Sequence, residues 1–189
     1  MSIIVNYEED QRKFIIAIVP IRMSKETKVE NLIRDIGRVE EELWLQLVNA
    51  KAVFSLKHLI FSSYVSLRKC LSHESLTKNP HIELLMVLTG TRQIGNAVSI
   101  AGISKNTMEA FLVVLSVDKE KSRINEIIGN FIKKHNLNFD KELMKILNMK
   151  APLATKITTK ELKSTTGVSY IEKLEKNIML KSLSVYFKF

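Results

Sequence analysis

The sequence predicts a single domain of the α+β class. Its 189 residues suit one domain with a substantial core, and 46% of them are hydrophobic, which is typical of a folded globule. Short apolar runs bounded by turn residues predict strands, whereas apolar stripes at a spacing of three and four predict helices. Segments of both kinds occur along the chain, and together they give the class.

Four apolar runs are predicted to be strands. The run Ala110–Val117 is strongly apolar, as expected for a buried strand. The run Leu84–Leu88 lies between Pro80 and Gly90 and fits a buried strand, although its spacing also allows a helix. The other two predicted strands are Phe14–Val19 and Leu43–Val48.

Several amphipathic segments are predicted to be helices. Ser55 is a good N-cap for the longest of the early helices, Leu56–Leu71. A second helix, from about Ile94 to Ala101, follows the turn Thr89–Gln93. Further helices are predicted over residues 25–36, 118–134 and 140–147.

The segment 169–189 is predicted to be a C-terminal helix followed by a strand-like tail. Ile171, Leu174 and Ile178 form an apolar seam on a helix that otherwise carries charges. From Leu183 onward apolar and polar residues alternate, which is typical of a strand. Such a strand would complete the domain's own sheet, or it would pair with another chain, for example in a weak homodimer.

The charge of the chain is concentrated towards its C-terminus. The net charge is +9, of which residues 133–189 contribute +7 and residues 1–132 contribute +2. This asymmetry indicates a polyanionic partner, with RNA as the first choice. The alternative is that a lysine-rich surface serves solubility alone.

The turn Thr89–Gln93 is a candidate anion site. It places backbone N–H groups and the Arg92 guanidinium at the start of a helix, where phosphates bind well. The alternative is that Arg92 lies on an ordinary solvated first turn. Gly90 and Gly95 have the glycine spacing of a P-loop, but Asn96-Ala97 stands where Lys and Ser or Thr are required, so a nucleotide-hydrolysing P-loop is excluded.

The sequence contains no recognisable catalytic or metal-binding motif. Its four histidines, at positions 58, 73, 81 and 135, lack the spacing of metal ligands. His58, at the start of the long helix, is expected to be a surface or capping residue. The chain is therefore interpreted as a binding protein that has no enzymatic activity, metal or cofactor.

The location is expected to be the cytoplasm. Cys70 is the only cysteine, which excludes an internal disulfide and favours a reducing compartment. No apolar run approaches the roughly 20 residues needed to span a membrane. The acidic residues Glu8, Glu9 and Asp10 precede the first apolar run, so no signal peptide is expected.

The most characteristic stretch runs from Glu83 to Ile103. It contains Glu83-Leu84-Leu85, then Thr89-Gly90-Thr91-Arg92-Gln93-Ile94, then Ala97 and Gly102-Ile103. This combination resembles the signature of the kinase-binding subunit of the KEOPS complex, in its archaeal form. A weaker likeness extends from about Leu43 to Leu180.

The resemblance implies a fold, a role and partners. Members of that family have a small sheet of mainly antiparallel strands packed with several helices, and they have no catalytic activity. They bind the small atypical kinase/ATPase of the complex and help to recruit tRNA through its 3′ end for threonylcarbamoyl-adenosine modification. No membrane contact is implied.

These roles can be assigned to two sets of residues as hypotheses. An apolar seam exposed on the last helix would suit helix-mediated docking on the kinase. The residues expected to bind the kinase are Ile171, Leu174 and Ile178. A site for single-stranded RNA needs cations for phosphates and planar or amide groups for bases. The residues expected to line it are Arg68, Lys69, Arg92 and Gln93. A stand-alone RNA-binding domain, which would need no kinase, is the alternative function.

Overall fold

The computed structural model describes residues 2–9 and 11–187. The strands in this part of the chain are β1 (Ile3–Glu9), β2 (Arg12–Arg22), β3 (Gly37–Glu40), β4 (Leu43–Asn49), β5 (Glu109–Val117) and β6 (Asn138–Phe139). The α-helices are α1 (Val29–Asp35), α2 (Leu56–Leu71), α3 (Pro80–Thr89), α4 (Ile94–Ala101), α5 (Lys121–Lys134), α6 (Thr159–Ser164) and α7 (Tyr170–Leu183). Short 3₁₀ turns cover Ala50–Ala52, Lys141–Lys145, Ala154–Lys156 and Ser184–Tyr186.

The strands form one antiparallel sheet. Its order is β1-β2-β5-β4-β3, and β6 pairs with the end of β2 beyond β1. The central register aligns Phe14 with Val117 and Leu45 with Val114. The predicted α+β fold with a mainly antiparallel sheet is confirmed, and every pairing among the described strands is antiparallel.

Helices cover both faces of this sheet. Alternate residues of β2, such as Ile16 and Ile18, face a core shared with α2, α3 and α4. The intervening residues, such as Ile15 and Ala17, face a second core shared with α1 and α5. Because neither face meets water, the central strands read as continuous apolar runs in the sequence.

The predicted strand Leu84–Leu88 is wrong, because these residues lie inside α3. Pro80 occupies the first turn of this helix, and Gly90 ends it in a left-handed conformation with φ of +65°. Every residue from Glu83 to Thr89 is buried, since α3 lies between the sheet and the helices α2 and α7. A helix enclosed on all sides gives the same uninterrupted apolar run as a buried strand.

The predicted strand-like tail is also wrong within the described residues. Helix α7 continues to Leu183, and a 3₁₀ turn follows it. The buried positions Ile178, Ser182 and Val185 keep a helical spacing, so they all face the domain. Val185 packs on α2 and α3, which removes the basis for a homodimer through strand pairing. Residues 188 and 189 of the predicted strand lie outside the described residues.

The part of the chain that the structure describes contains no helix that is both long and apolar enough to cross a membrane. The same residues hold no cluster of three or more His, Cys, Asp or Glu side chains arranged to bind a metal ion.

Candidate binding surfaces

The apolar seam of α7 lies in the interior of the domain. Leu174 is 2% exposed and Ile178 is 0% exposed, and both pack against Phe54 and the segment 151–154. Ile171 is half-buried at the first turn of the helix. The expectation of an exposed seam is therefore wrong, because the seam attaches α7 to its own domain.

His58 contributes to the same attachment. It was expected to be a surface or capping residue; it is fully buried in the first turn of α2, facing α7, and its ring accepts from a backbone N–H just before the helix. Its Nδ1 accepts a hydrogen bond from the Phe54 N–H at 3.4 Å, so Nε2 donates to the Ser182 hydroxyl at 3.1 Å. Burial lowers the pKa of His58 to about 3, and the imidazole is neutral at physiological pH.

The predicted RNA-binding residues of α2 point in two directions. Arg68 forms a bidentate ion pair with Glu9 of β1, with Nε 2.9 and 3.0 Å from the two carboxylate oxygens. Hydrogen bonds from Arg68, and then from Tyr64, lower the pKa of Glu9. Lys69 points instead towards the C-terminus of the chain, where it pairs with Glu74 and lies 5.3 Å from the centroid of the Tyr186 ring.

The other two predicted RNA-binding residues lie exposed between α3 and α4. The Arg92 Nη1 donates to the Phe187 carbonyl oxygen at 3.4 Å, and Gln93 accepts from the Asn96 amide at 2.6 Å. Among the described residues, no carboxylate pairs with Arg92. Within the described residues, the only hydrogen-bond partner of its guanidinium is the Phe187 carbonyl.

Residues 184–187, the tail turn, connect Lys69 to Arg92. The Tyr186 ring contacts Lys69, and the Phe187 carbonyl accepts from Arg92. The Tyr186 hydroxyl donates to Glu83 at 2.7 Å, and burial together with the Glu83 carboxylate raises the pKa of Tyr186. The structure thus links Lys69 and Arg92 through the tail turn, whereas the Arg68 guanidinium is turned towards Glu9 of β1.

The tail turn was missed by sequence reasoning. The available signal was Glu83, an acidic residue at the start of an apolar run. A carboxylate inside such a run requires several hydrogen-bond donors, which must come from elsewhere in the chain. Two of them are the backbone N–H groups of Leu76 and Thr77, and the third is Tyr186.

A second surface is an apolar groove between α1 and the α3–α4 pair, called here the α1–α4 groove. It encloses about 230 Å³, and its rim includes Ile33, which is 51% exposed, and Val98, which is 43% exposed. Gln46 and His81 lie at its floor, joined by a 2.9 Å hydrogen bond from the Gln46 amide to the His81 carbonyl. The remaining lining residues are Ile36, Leu47, Ile82, Leu85, Gly102 and Ile103.

The α1–α4 groove is suited to a protein partner. Exposed apolar residues that are grouped around a concavity commonly mark interaction sites. Sequence reasoning could not find this groove. Ile33 and Val98 lie on the apolar stripes of the helices predicted over residues 25–36 and 94–101, and such stripes are expected to pack against the core. Only the tertiary structure places Ile33 of α1 and Val98 of α4 on one groove and leaves both side chains exposed.

The fold and its surfaces define a one-domain α+β protein with two accessible features suited to macromolecular contact. These are the turn between α3 and α4 that carries Arg92, and the α1–α4 groove. The family model described as "Kinase binding protein CGI-121" matches residues 23–177. This match covers most of the chain, and the protein belongs to the CGI-121 kinase-binding protein family. No individual curated protein matches the chain.

Proposed function

We propose that this protein is a non-catalytic accessory subunit of a KEOPS complex of the archaeal type. In this role it binds the small atypical kinase of the complex and recruits tRNA through its 3′ end for threonylcarbamoyl-adenosine modification in the cytoplasm. The observation that carries the proposal is the family match over residues 23–177, whose description specifies kinase binding. The protein needs no cofactor of its own for this role.

The α1–α4 groove is the proposed docking site for the kinase. Its rim offers branched apolar side chains, Ile33 and Val98, that a partner can bury. Apolar anchors that become fully desolvated contribute most of the free energy of a typical interface.

Helix α7 has a more indirect part in kinase binding. Leu174 and Ile178 are inaccessible to a partner and act by holding α7 in place. Ile171 is half-buried at the first turn, and it is the one member of the predicted set that a partner can touch directly.

The groove is tested with the purified kinase subunit and single charge substitutions. Val98→Glu and Ile33→Glu should each weaken binding by at least about tenfold, because a carboxylate would be buried without a partner. Leu180→Glu, on the exposed face of α7, is the matched control and should change the affinity by less than about threefold. If Ile171→Glu abolished binding and the two groove substitutions did not, the kinase contact would be assigned to α7.

The tRNA surface is proposed to consist of Lys69, Arg92 and Gln93, with Arg68 at its margin. Arg92 is expected to contribute most to this surface, because no carboxylate among the described residues forms an ion pair with it. Arg68 is engaged by Glu9 and Lys69 by Glu74, so the charges of these two residues are less available to phosphate.

Charge reversal of Arg92 tests this surface. Arg92→Glu should weaken tRNA binding by about tenfold at low salt and should reduce the slope of log K against log salt by about one. Lys121→Glu changes the net charge equally, but it lies on α5 at the opposite face of the sheet. Equal effects of the two substitutions would mean that binding depends only on overall charge.

Binding of tRNA in the absence of the kinase separates the two functions. A stand-alone RNA-binding domain would bind tRNA but would not retain the kinase in a pull-down. An accessory subunit should retain both, and removal of the tRNA 3′ end should weaken only the tRNA interaction.

A further inference from the structure

The tail turn exposes the Phe187 ring to solvent on a backbone that the two preceding residues anchor to the domain. Val185 is buried against Val65 and Val87, and the Tyr186 hydroxyl is bonded to the buried carboxylate of Glu83. Phe187, the next residue, is 59% exposed. Because it stays exposed, this ring contributes little of the stabilisation that burial of a large apolar side chain would give.

Two cations lie next to the tail turn. Lys69 contacts the face of the neighbouring Tyr186, and the Arg92 guanidinium donates to the Phe187 carbonyl oxygen. Tyr186 has its hydroxyl bonded and one face next to Lys69, so its ring is less accessible than that of Phe187. The tail turn therefore presents one open aromatic ring on a residue whose backbone carbonyl is bound by a guanidinium group.

This combination matches the chemistry of an unpaired nucleotide in RNA. A base stacks on the face of an aromatic ring, and the adjacent phosphates require cations within one nucleotide. A purely apolar protein contact would not need the guanidinium group next to the ring. We propose that Phe187 is a stacking platform for one unpaired RNA base, with Arg92 contacting an adjacent phosphate.

This inference rests on the proposed RNA binding but is not carried by the family match. The match ends at residue 177, so the tail turn lies beyond it. The proposed platform is therefore formed by a residue outside the matched range.

The test uses the full chain and two single-stranded RNA pentamers. One is a pentamer of adenylates with 2-aminopurine at its 3′ nucleotide, and the other has the same backbone with abasic riboses. The variants are Phe187→Ala, Phe187→Trp and the control Leu180→Ala, which removes an exposed apolar side chain from α7. Thermal unfolding of each variant verifies that the fold is retained.

Phe187→Ala should weaken binding of the adenylate pentamer by about tenfold, whereas Phe187→Trp should bind within about twofold of the native protein. The abasic pentamer should bind the native protein and Phe187→Ala equally. A change in 2-aminopurine fluorescence should accompany binding to the native protein and be lost with Phe187→Ala, because the base leaves its neighbouring adenine when it stacks on the ring.

Three outcomes would overturn the inference. Equal losses for both pentamers would assign Phe187 a role in structure or charge, and no loss for either would remove it from the site. Weaker kinase binding with unchanged RNA binding would make the ring a protein contact. In each of these outcomes the native protein still binds RNA, so the proposed RNA binding is retained. If the native protein bound neither pentamer at low salt, the RNA-binding proposal would be rejected as well.

Discussion

Glu83 is a fully buried carboxylate that connects three parts of the chain. It accepts hydrogen bonds from the N–H groups of Leu76 and Thr77 at 3.1 and 2.9 Å and from the Tyr186 hydroxyl at 2.7 Å. The loop after α2 and the tail turn are thereby fixed to α3. A buried anion needs donors of this kind to compensate its desolvation.

Glu83→Gln should destabilise the protein by about 2 kcal/mol. The amide group replaces an acceptor with a donor, so one of the three donors around position 83 loses its partner. The free energy of unfolding in urea measures this change. Glu26→Gln, on an exposed residue, is the control and should have an effect below about 0.5 kcal/mol.

The buried imidazole of His58 makes stability depend on pH. Its pKa is about 3 in the folded protein, whereas a histidine in the unfolded chain titrates near 6.5. Between these values the unfolded chain binds a proton that the folded protein does not. The contribution of His58 to stability is therefore lost as the pH falls below about 6.5.

Between pH 7 and pH 5 this effect should lower the free energy of unfolding by about 2 kcal/mol. His58→Gln removes the titrating group, so its stability should decline less over the same range. Carboxylate titration affects the stability of the native protein and of His58→Gln alike. The difference between their two profiles of stability against pH therefore isolates the contribution of His58. Parallel profiles would show that position 58 takes up no proton on unfolding.

At the scale of elements, the turn between α3 and α4 depends on a glycine. Gly90 has φ of +65°, and a Cβ atom there would lie 2.8 Å from Leu153 Cδ2 and 3.4 Å from the Lys181 carbonyl oxygen. This turn therefore lies directly against the segment 151–154 and the end of α7. It positions Arg92 and Gln93 at the same time.

Gly90→Ala should destabilise the protein by about 1–2 kcal/mol, because both the backbone conformation and the close packing oppose a side chain. Gly95→Ala is the matched substitution inside α4, where no atom lies within 4 Å of the added Cβ. It should stabilise the protein by about 0.5–1 kcal/mol through helix propensity. Chemical denaturation of the two variants should give shifts of opposite sign.

At the scale of the whole molecule, the folding unit is larger than the family match. The match begins at Met23, immediately after β2, yet β2 pairs with β1, β5 and β6 in the sheet. Its residues contribute to both cores. A chain without β2 would leave one side of β5 unpaired and expose apolar residues on both faces.

A chain that begins at residue 23 should therefore fail to fold cooperatively, as measured by circular dichroism during thermal unfolding. A chain that begins at residue 11 removes β1 but keeps β2, and it should retain a cooperative transition at a lower temperature. A cooperative transition in the shorter chain would show that β2 is not required for the core.

The sequence by itself determined the class of fold, three central strands and the bounds of α2, because each has a strong local signal. β2, β4 and β5 contain strongly apolar runs, and Ser55 caps α2 by accepting from the His58 N–H at 3.2 Å. The combination of residues between Glu83 and Ile103 also pointed to a kinase-binding family, which the family match confirms.

Only the tertiary structure decided which apolar surfaces are buried and which cations are free. Leu174 and Val98 both lie on apolar helical stripes, but the first is covered by the segment 151–154 and the second remains open. Arg68 and Arg92 are alike in sequence, yet Glu9 neutralises only the first. Burial and ion pairing depend on residues that are distant along the chain, so no local pattern can specify them.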